Sequence, residues 1–419
     1  MACVYALLRD RSFSYAHFVV ASSSLWYSTG RIALLRTKGL TAWYPRLSLE
    51  AIALVACFVL MLAAYHAVPP LFRRPTKTGR DPSLGLWGIA LLFVLSQVSE
   101  IPLPIRQLYQ GVLFVGMAFA VSDTTRLSRG QWSAVVVGLI VNSLILFLWT
   151  GSLGATMSIL ALLLVRFLRV RDAKTLGLVC LVAAVLVVVQ SVKGDFRSVI
   201  YANPNLPLLS RAVTLSMLIG RVPAASPSSG ERSSSGRISA GVERLSDDSL
   251  ARVLWFTPAV VPFQRGVTYR SLAYLWIPRL LWREKPVQGF WHTFGHLYKY
   301  LRRDDKQTSI TFNLFAEGYM NFGWWGLVVV SLIFGACLKG LQGIAENAGR
   351  PIVLDMLFLS PVILCPEALT HVTCIVWGLF GVALFRIHAW KENRAPDRHA
   401  STDTGEQQGL VLGNVSVSE

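Results

Sequence analysis

Charge is scarce in this chain, and acid is scarcer than base. Charged residues fill 15% of the 419 positions, against about 25% in an ordinary soluble domain. A water-soluble globule with a normal surface is therefore excluded as the whole account. Asp and Glu number 23 against 40 Lys and Arg. The six cysteines, Cys3, Cys57, Cys180, Cys337, Cys365 and Cys374, are scattered with no C-x-x-C pair, which argues against a disulfide framework or a thiolate metal site. There is no H-E-x-x-H run for a two-histidine metal centre. Nor is there the two-fold symmetry of hydrophobic segments expected of a transporter, or a basic arm or recognition motif for nucleic acid. No cleavable signal peptide is evident, because Arg9, Arg11, Arg31, Arg36 and Lys38 break up the first 47 residues.

What the chain has instead is apolar length. Hydrophobic residues make up 53% of it, with 13 Trp and 21 Phe, and mean hydropathy is +0.50. A spanning helix needs about 20 mostly apolar residues. Runs of that kind lie at 48–68, 83–99, 106–122, 131–149, 152–168, 175–192, 323–341, 352–370 and 372–390, with a weaker one at 13–29. The sequence thus predicts an all-α polytopic membrane protein with nine or ten transmembrane helices. An N-terminal arm (1–47) precedes a six-helix bundle (48–192). A large loop (193–322) with short interfacial helices follows, then the C-terminal helices (323–390) and a polar, disordered tail (391–419). The basic loops 72–80, 126–130, 166–174 and 386–394 all fall on one side of this arrangement. The positive-inside rule makes that side cytoplasmic and the long loop outward.

The loop is where the chemistry gathers. It holds 17 Lys and Arg against 9 Asp and Glu, and 13 of the 17 are arginine. Basic residues are retained inside rather than outside, so this excess needs another cause. Arginine offers a rigid fork of donors suited to phosphate; anionic lipid headgroups are the competing explanation. Lys193, Asp195 and Arg197 stand directly after a span; snorkelling is the plainer reading for Lys193 alone, whereas for the three together snorkelling and anion binding stand level. Arg237, Arg244 and Arg252 recur at intervals that place them near one helix face, with a capping-type start at Ser246 and Asp247 and with Asp247 and Asp248 available to pair them. His292 and His296, four apart, share a face as a packed pair or, less readily, as metal ligands. Pro258, Pro262 and Pro278 break the aromatic stretch 250–300 into short pieces. Its aromatics, Trp276, Trp282, Phe290, Trp291, Phe294 and Tyr298, serve as interfacial anchors or as stacking surfaces for sugars. Within the spans Asn142, Gln190, Asp355, Glu367 and His371 are polar, and Asp355, near a helix end, is expected to snorkel.

Three stretches carry a resemblance. They are Gly266, Thr268 and Tyr269; then Ile277, Pro278, Arg279, Leu281, Trp282, Lys285 and Pro286; then Ala316, Glu317, Tyr319, Asn321, Phe322, Gly323 and Gly326. In this order, with K-G-D-F-R at 193–197 after a span, the chain resembles the bacterial O-antigen polymerase (Wzy-like) family of oligosaccharide repeat-unit polymerases. The resemblance implies transfer of undecaprenyl-pyrophosphate-linked glycan at the outer face of the inner membrane. A lipid-linked donor and a lipid-linked acceptor would be the substrates, with no cofactor and no metal, and with a chain-length regulator and a flippase as further partners. On the residues' own chemistry, Arg197, Arg244, Arg279, Lys285, Arg270 and Lys193 are candidates to stabilise a departing pyrophosphate. Glu317, Asp195, His292 and His296 are candidates to take the proton of the attacking hydroxyl; an ion pair or a helix cap is the alternative role for Glu317. The competing functions are a glycan ligase, a polysaccharide transporter or flippase, and a non-catalytic envelope protein.

Overall fold

The computed structural model describes residues 14–24, 40–69, most of 137–220, 248–274, most of 290–303, 310–347 and 351–364, with a few isolated positions besides. All regular structure among them is helical. Residues 15–24 form a helical stretch, followed by α1 (Leu40–Ala67), α2 (Gly154–Val170), α3 (Ala173–Ala202), α4 (Leu208–Gly220), α5 (Ser249–Phe256), α6 (Arg270–Tyr274), α7 (Trp291–Leu297), α8 (Leu314–Asn347) and α9 (Pro351–Leu364). Three of these, at Ser48–Ala67, Ala173–Ala202 and Leu314–Asn347, are long and apolar enough to cross a membrane. The run 83–99 lies outside the described residues, as do nearly all of 106–122 and 372–390 and the polar stretches 223–241 and 391–419.

Each long helix shows why it forms. On α3 the buried positions are Leu178, Val182, Leu186, Val189, Val192, Phe196 and Ile200, an i, i+3/i+4 stripe that turns one face inward. Leu176, Leu181, Val185 and Val188 on other faces stay exposed. That is costly in water and favourable in lipid. The helix begins where the Asp172 carboxylate accepts the Thr175 N–H at 2.7 Å, an N-cap. It runs on to Ala202, so residues 193–202 continue the helix rather than opening a loop. Arg171, in the left-handed conformation at φ 55°, closes α2 and leaves a two-residue turn into α3. Buried Arg166 clamps that turn through Thr175 Oγ1 at 3.0 Å and the Asp172 carboxylate at 3.6 Å.

Polar contacts fix the helix directions. The Tyr65 hydroxyl near the end of α1 donates to Gln342 near the end of α8, and the Lys339 ammonium lies 4.8 Å over the Tyr65 ring. These two helices therefore run the same way. Arg169, in the last turn of α2, lies 2.7 Å from Asp355, early in α9, so α2 and α9 run oppositely. One end of the bundle gathers Arg166, Arg169, Asp172, Gln342 and Asp355. The other gathers the end of α3, the start of α8 and the short helices α4, α5 and α7. Asp355 corrects an expectation. It does not snorkel: it is buried, held by Arg169 and by the Tyr15 hydroxyl at 2.6 Å. A carboxylate at a helix end can be recruited inward when a cation and a phenol arrive from other elements.

Candidate functional site at the head of α8

The site is built on a corner. Helix α8 is broken at Gly323, whose φ of 63° and ψ of −144° suit only glycine. The limb 314–322 folds back along the limb 324–347. The fold is tight enough that a Cβ on Gly326 would stand 1.9 Å from the Gly318 carbonyl oxygen, so only glycine fits there. Glu317 therefore does not lie in line with the limb 324–347. It belongs to a short limb laid against the head of that span, where Trp324 and Trp325 are exposed.

Asn313 starts this limb. Its side-chain oxygen accepts the Ala316 N–H at 2.6 Å, and its amide donates to Ser249 Oγ on α5 at 3.0 Å. Glu317 follows in the first turn, 2% exposed, where the helix dipole favours a carboxylate. Asn321, one turn later, binds the limb to the loop 264–269. Its Oδ1 accepts the Gly266 N–H at 2.8 Å. Its Nδ2 donates to Thr268 Oγ1 and to the Glu317 carbonyl, each at 2.8 Å. The loop also satisfies the carbonyls that the break orphans: Gln264 N–H reaches Met320 O at 3.0 Å and Arg265 N–H reaches Asn321 O at 3.3 Å. Gly266, at φ 85°, makes the turn. Thus the stretch Gly266–Thr268–Tyr269 and the stretch Glu317–Asn321–Gly323, far apart in sequence, form one seam.

Tyr269 ends the seam. Its ring stacks on Phe322, with centroids 6.2 Å apart and planes 7° apart. Its hydroxyl is buried and has no hydrogen-bond partner, a loss of about 1–3 kcal/mol for a polar group left so. Burial, and then the Glu317 charge nearby, push the phenol well above its ordinary pKa. It is a neutral donor.

The other predicted residues divide. His292 and His296 do share a face of α7: their rings meet edge to face at 4.5 Å, with the two Nε2 atoms 3.3 Å apart. Phe294 on the same helix and Tyr298 just past its end are fully buried, as core rather than as sugar-stacking surfaces, and burial pushes the Tyr298 phenol up to about 12. Lys285 is buried, its ammonium on the Ile277 carbonyl at 2.8 Å. Arg270 is exposed at the start of α6. Lys193, Asp195 and Arg197 lie on the last turns of α3, which packs on α2 and α4, whereas α8 packs on α1, α5 and α9; they stand apart from the seam. Arg197 gives Nε to the Gly151 carbonyl at 2.8 Å, which leaves its terminal nitrogens for another acceptor. Arg252 pairs with Asp248 at 2.9 Å and lies 4.0 Å over the Tyr300 ring. Asp248 begins α5 but gives no side-chain cap, its carboxylate being taken by Arg252 and the Tyr300 hydroxyl. Arg237, Arg244, Ser246, Asp247, Arg279, Glu367 and His371 lie outside the described residues.

No motif in the sequence marks Arg211. It is buried, with Nε on Leu206 O at 2.9 Å and Nη1 on Trp149 O at 2.9 Å and Leu148 O at 3.3 Å. It thereby caps the carbonyls of the helical residues before Gly151. An arginine inside an otherwise apolar 13-residue helix was the available signal. Among the described residues no group of three His, Cys, Asp or Glu converges. No family model, curated protein or solved structure matches this chain.

Proposed function

We propose that the protein is a membrane glycosyltransferase that polymerises undecaprenyl-pyrophosphate-linked oligosaccharide units into a surface polysaccharide. In this reading it spans a bacterial inner membrane nine or ten times, 193–322 faces outward, and the C-terminus is cytoplasmic. One observation carries the reading: two of the stretches that resemble the polymerase family, Gly266–Tyr269 and Ala316–Gly326, far apart in sequence, meet at a single seam beside Glu317.

The chemistry follows from the seam. The acceptor sugar's hydroxyl gives its proton to the Glu317 carboxylate as its oxygen bonds to the donor's anomeric carbon. The bond from that carbon to the pyrophosphate breaks, and the electron pair leaves with the lipid pyrophosphate. The charge that grows there calls for arginine. Arg270, on the element that follows the seam loop, and Arg279 beyond it are assigned to that role. Arg197, at the end of α3 and apart from the seam, is assigned to hold carrier phosphate with the terminal nitrogens that Gly151 leaves uncommitted.

The test is deletion in the native host followed by complementation. Deletion should leave single repeat units on the carrier lipid or the surface. Long chains stranded on the carrier, or units trapped in the cytoplasm, would point to a ligase or a flippase and sink the proposal. Glu317→Gln should fail to restore long polymer, with a loss on the order of a hundredfold or more for a missing base. Arg279→Ala should fail, and Arg279→Lys should fail too if the fork geometry matters.

A further inference from the structure

A cavity stands apart from the seam. It is a groove of about 150 Å³ between α2, α3 and the helical residues before Gly151. Its walls run from Ile140 to Phe147, from Leu153 to Leu163 and from Leu178 to Val189. They are apolar except for Ser143, whose hydroxyl is buried and has no hydrogen-bond partner. From Leu178 to Val189 α3 rises about 17 Å, so a cavity of this volume is long and narrow. Ile140, Leu144, Leu181 and Val185 on its walls are exposed, so the groove opens sideways, where lipid is favoured over water. Arg197 stands beyond the Val189 end, two helical turns further along α3. It is fixed to the wall. Phe147 stacks on Phe196 with centroids 5.1 Å apart, and Gly151, whose N–H bonds Phe147 O at 2.7 Å, accepts Arg197 Nε at 2.8 Å. The guanidinium keeps its terminal nitrogens for an outside acceptor.

These features specify a ligand. The walls take hydrocarbon, and a forked cation at the end takes phosphate. A diacyl phospholipid would bring two chains to a narrow groove, and ester oxygens to walls with almost nothing to offer them. A lipid with one long chain joined directly to phosphate meets neither difficulty. We infer that the groove binds such a lipid, a polyprenyl phosphate, with its chain along α3 and its phosphate on Arg197. The inference rests on the transferase reading only for the name of that lipid, the carrier. It goes beyond that reading in placing the chain and in needing no transfer. Helix α3 packs on α2 and α4, whereas α8, which bears Glu317, packs on α1, α5 and α9. The groove is therefore a place where carrier is held, not where its sugar is cleaved.

The test uses the full-length protein in phosphatidylcholine nanodiscs, with no glycan present. The probe is a polyprenyl phosphate with a photoreactive group in its chain. Label should fall on the groove walls when mapped by peptide mass spectrometry. Unlabelled polyprenyl phosphate should displace the probe. Polyprenol should do so at least about tenfold less well, for want of charge-assisted bonds. Phosphatidylglycerol should be similarly weak, and inorganic phosphate should not displace it. Arg197→Gln keeps a donor at the Nε position for Gly151 and removes the terminal nitrogens. It should bind polyprenyl phosphate at least about tenfold more weakly and polyprenol as wild type does, a coupling that general loss of structure would not produce. Ser143→Leu fills the groove and deletes the orphan hydroxyl, so it should lose both ligands yet melt at or above the wild-type temperature. Equal displacement by polyprenol, by phosphatidylglycerol or by inorganic phosphate would overturn the inference. So would wild-type binding by Arg197→Gln or by Ser143→Leu. If neither variant folds, label outside the walls in the wild type overturns it alone. Binding is read here without acceptor or transfer, which separates the two levels. A ligase or flippase phenotype on deletion removes the transferase reading and leaves the groove, whereas failed labelling removes the groove and leaves the phenotype.

Discussion

The two ends of α8 handle buried charge differently. Beside its tail, Asp355 of α9 meets a cation and a phenol, Arg169 and Tyr15, and the charge is answered by protein. At its head, Glu317 sits in a seam sewn by amides and backbone, beside a phenol with nothing to bond. The tail shows how this chain neutralises a carboxylate when stability is the aim. Measured against it, the head leaves one fixed hydroxyl, that of Tyr269, without a hydrogen bond.

The hardest way to break the contrast is to remove the corner. Gly326→Ala places a methyl 1.9 Å from a backbone oxygen, so we expect no monodisperse protein on size-exclusion in detergent. Gly177→Ala, on α3 with nothing within 4 Å, should instead be neutral or should stabilise by about 0.5–1 kcal/mol. Monodisperse, fully stable Gly326→Ala would mean that the fold-back is wrong.

Next comes the tail. Arg169→Ala takes the cation from buried Asp355 and should cost about 3 kcal/mol in thermal unfolding; Asp355→Ala should cost less, because Arg169 is 22% exposed. The double variant should cost less than the sum of the two. Polymer made per folded molecule should stay near wild type, since this pair is remote from the seam.

Asn321→Ala should reverse that pattern. It deletes the bonds to Gly266 and Thr268, costing about 2–3 kcal/mol. It should depress transfer further than the loss of folded protein explains, because Asn321 ties the loop to the limb that carries Glu317. A drop in activity that only tracks folded protein would make the seam a structural feature like the tail.

The smallest effect concerns the α2–α3 turn. Burial raises the Asp172 pKa, but its hydrogen bonds with Thr175 and the Arg166 charge outweigh burial and leave it below its ordinary value. A carboxylate whose folded pKa is depressed contributes stability above its unfolded pKa, about 3.9, and loses that contribution as pH falls through the lower folded value. Asp172→Asn should therefore melt slightly below wild type at pH 7, and the gap should close only below about pH 4. A gap unchanged at low pH would show that charge has no part in the turn.

Much of this was written in local patterns. The apolar runs 48–68, 152–168, 175–192 and 323–341 match α1, α2, the body of α3 and the second limb of α8, because burying backbone in lipid demands long apolar helices. The proline-broken stretch became short helices, with α5 ending beside Pro258. The His292–His296 contact follows from four-residue spacing alone. Composition shows that arginines are abundant but not what each will find, and Arg211 and Arg252 found carbonyls, a carboxylate and aromatic rings within the protein.

The sequence by itself determined the class of protein, the helices long enough to span, and the residue types collected near Gly266 and Glu317, since hydropathy, helical period and glycine content are local quantities. Only the tertiary structure decided that α8 doubles back at Gly323, that Asn321 stitches the loop to the limb, that Asp355 is paired, and that the Tyr269 hydroxyl is left without a partner. Each of those depends on which backbone and side-chain atoms arrive from distant parts of the chain, and no local period encodes that arrival.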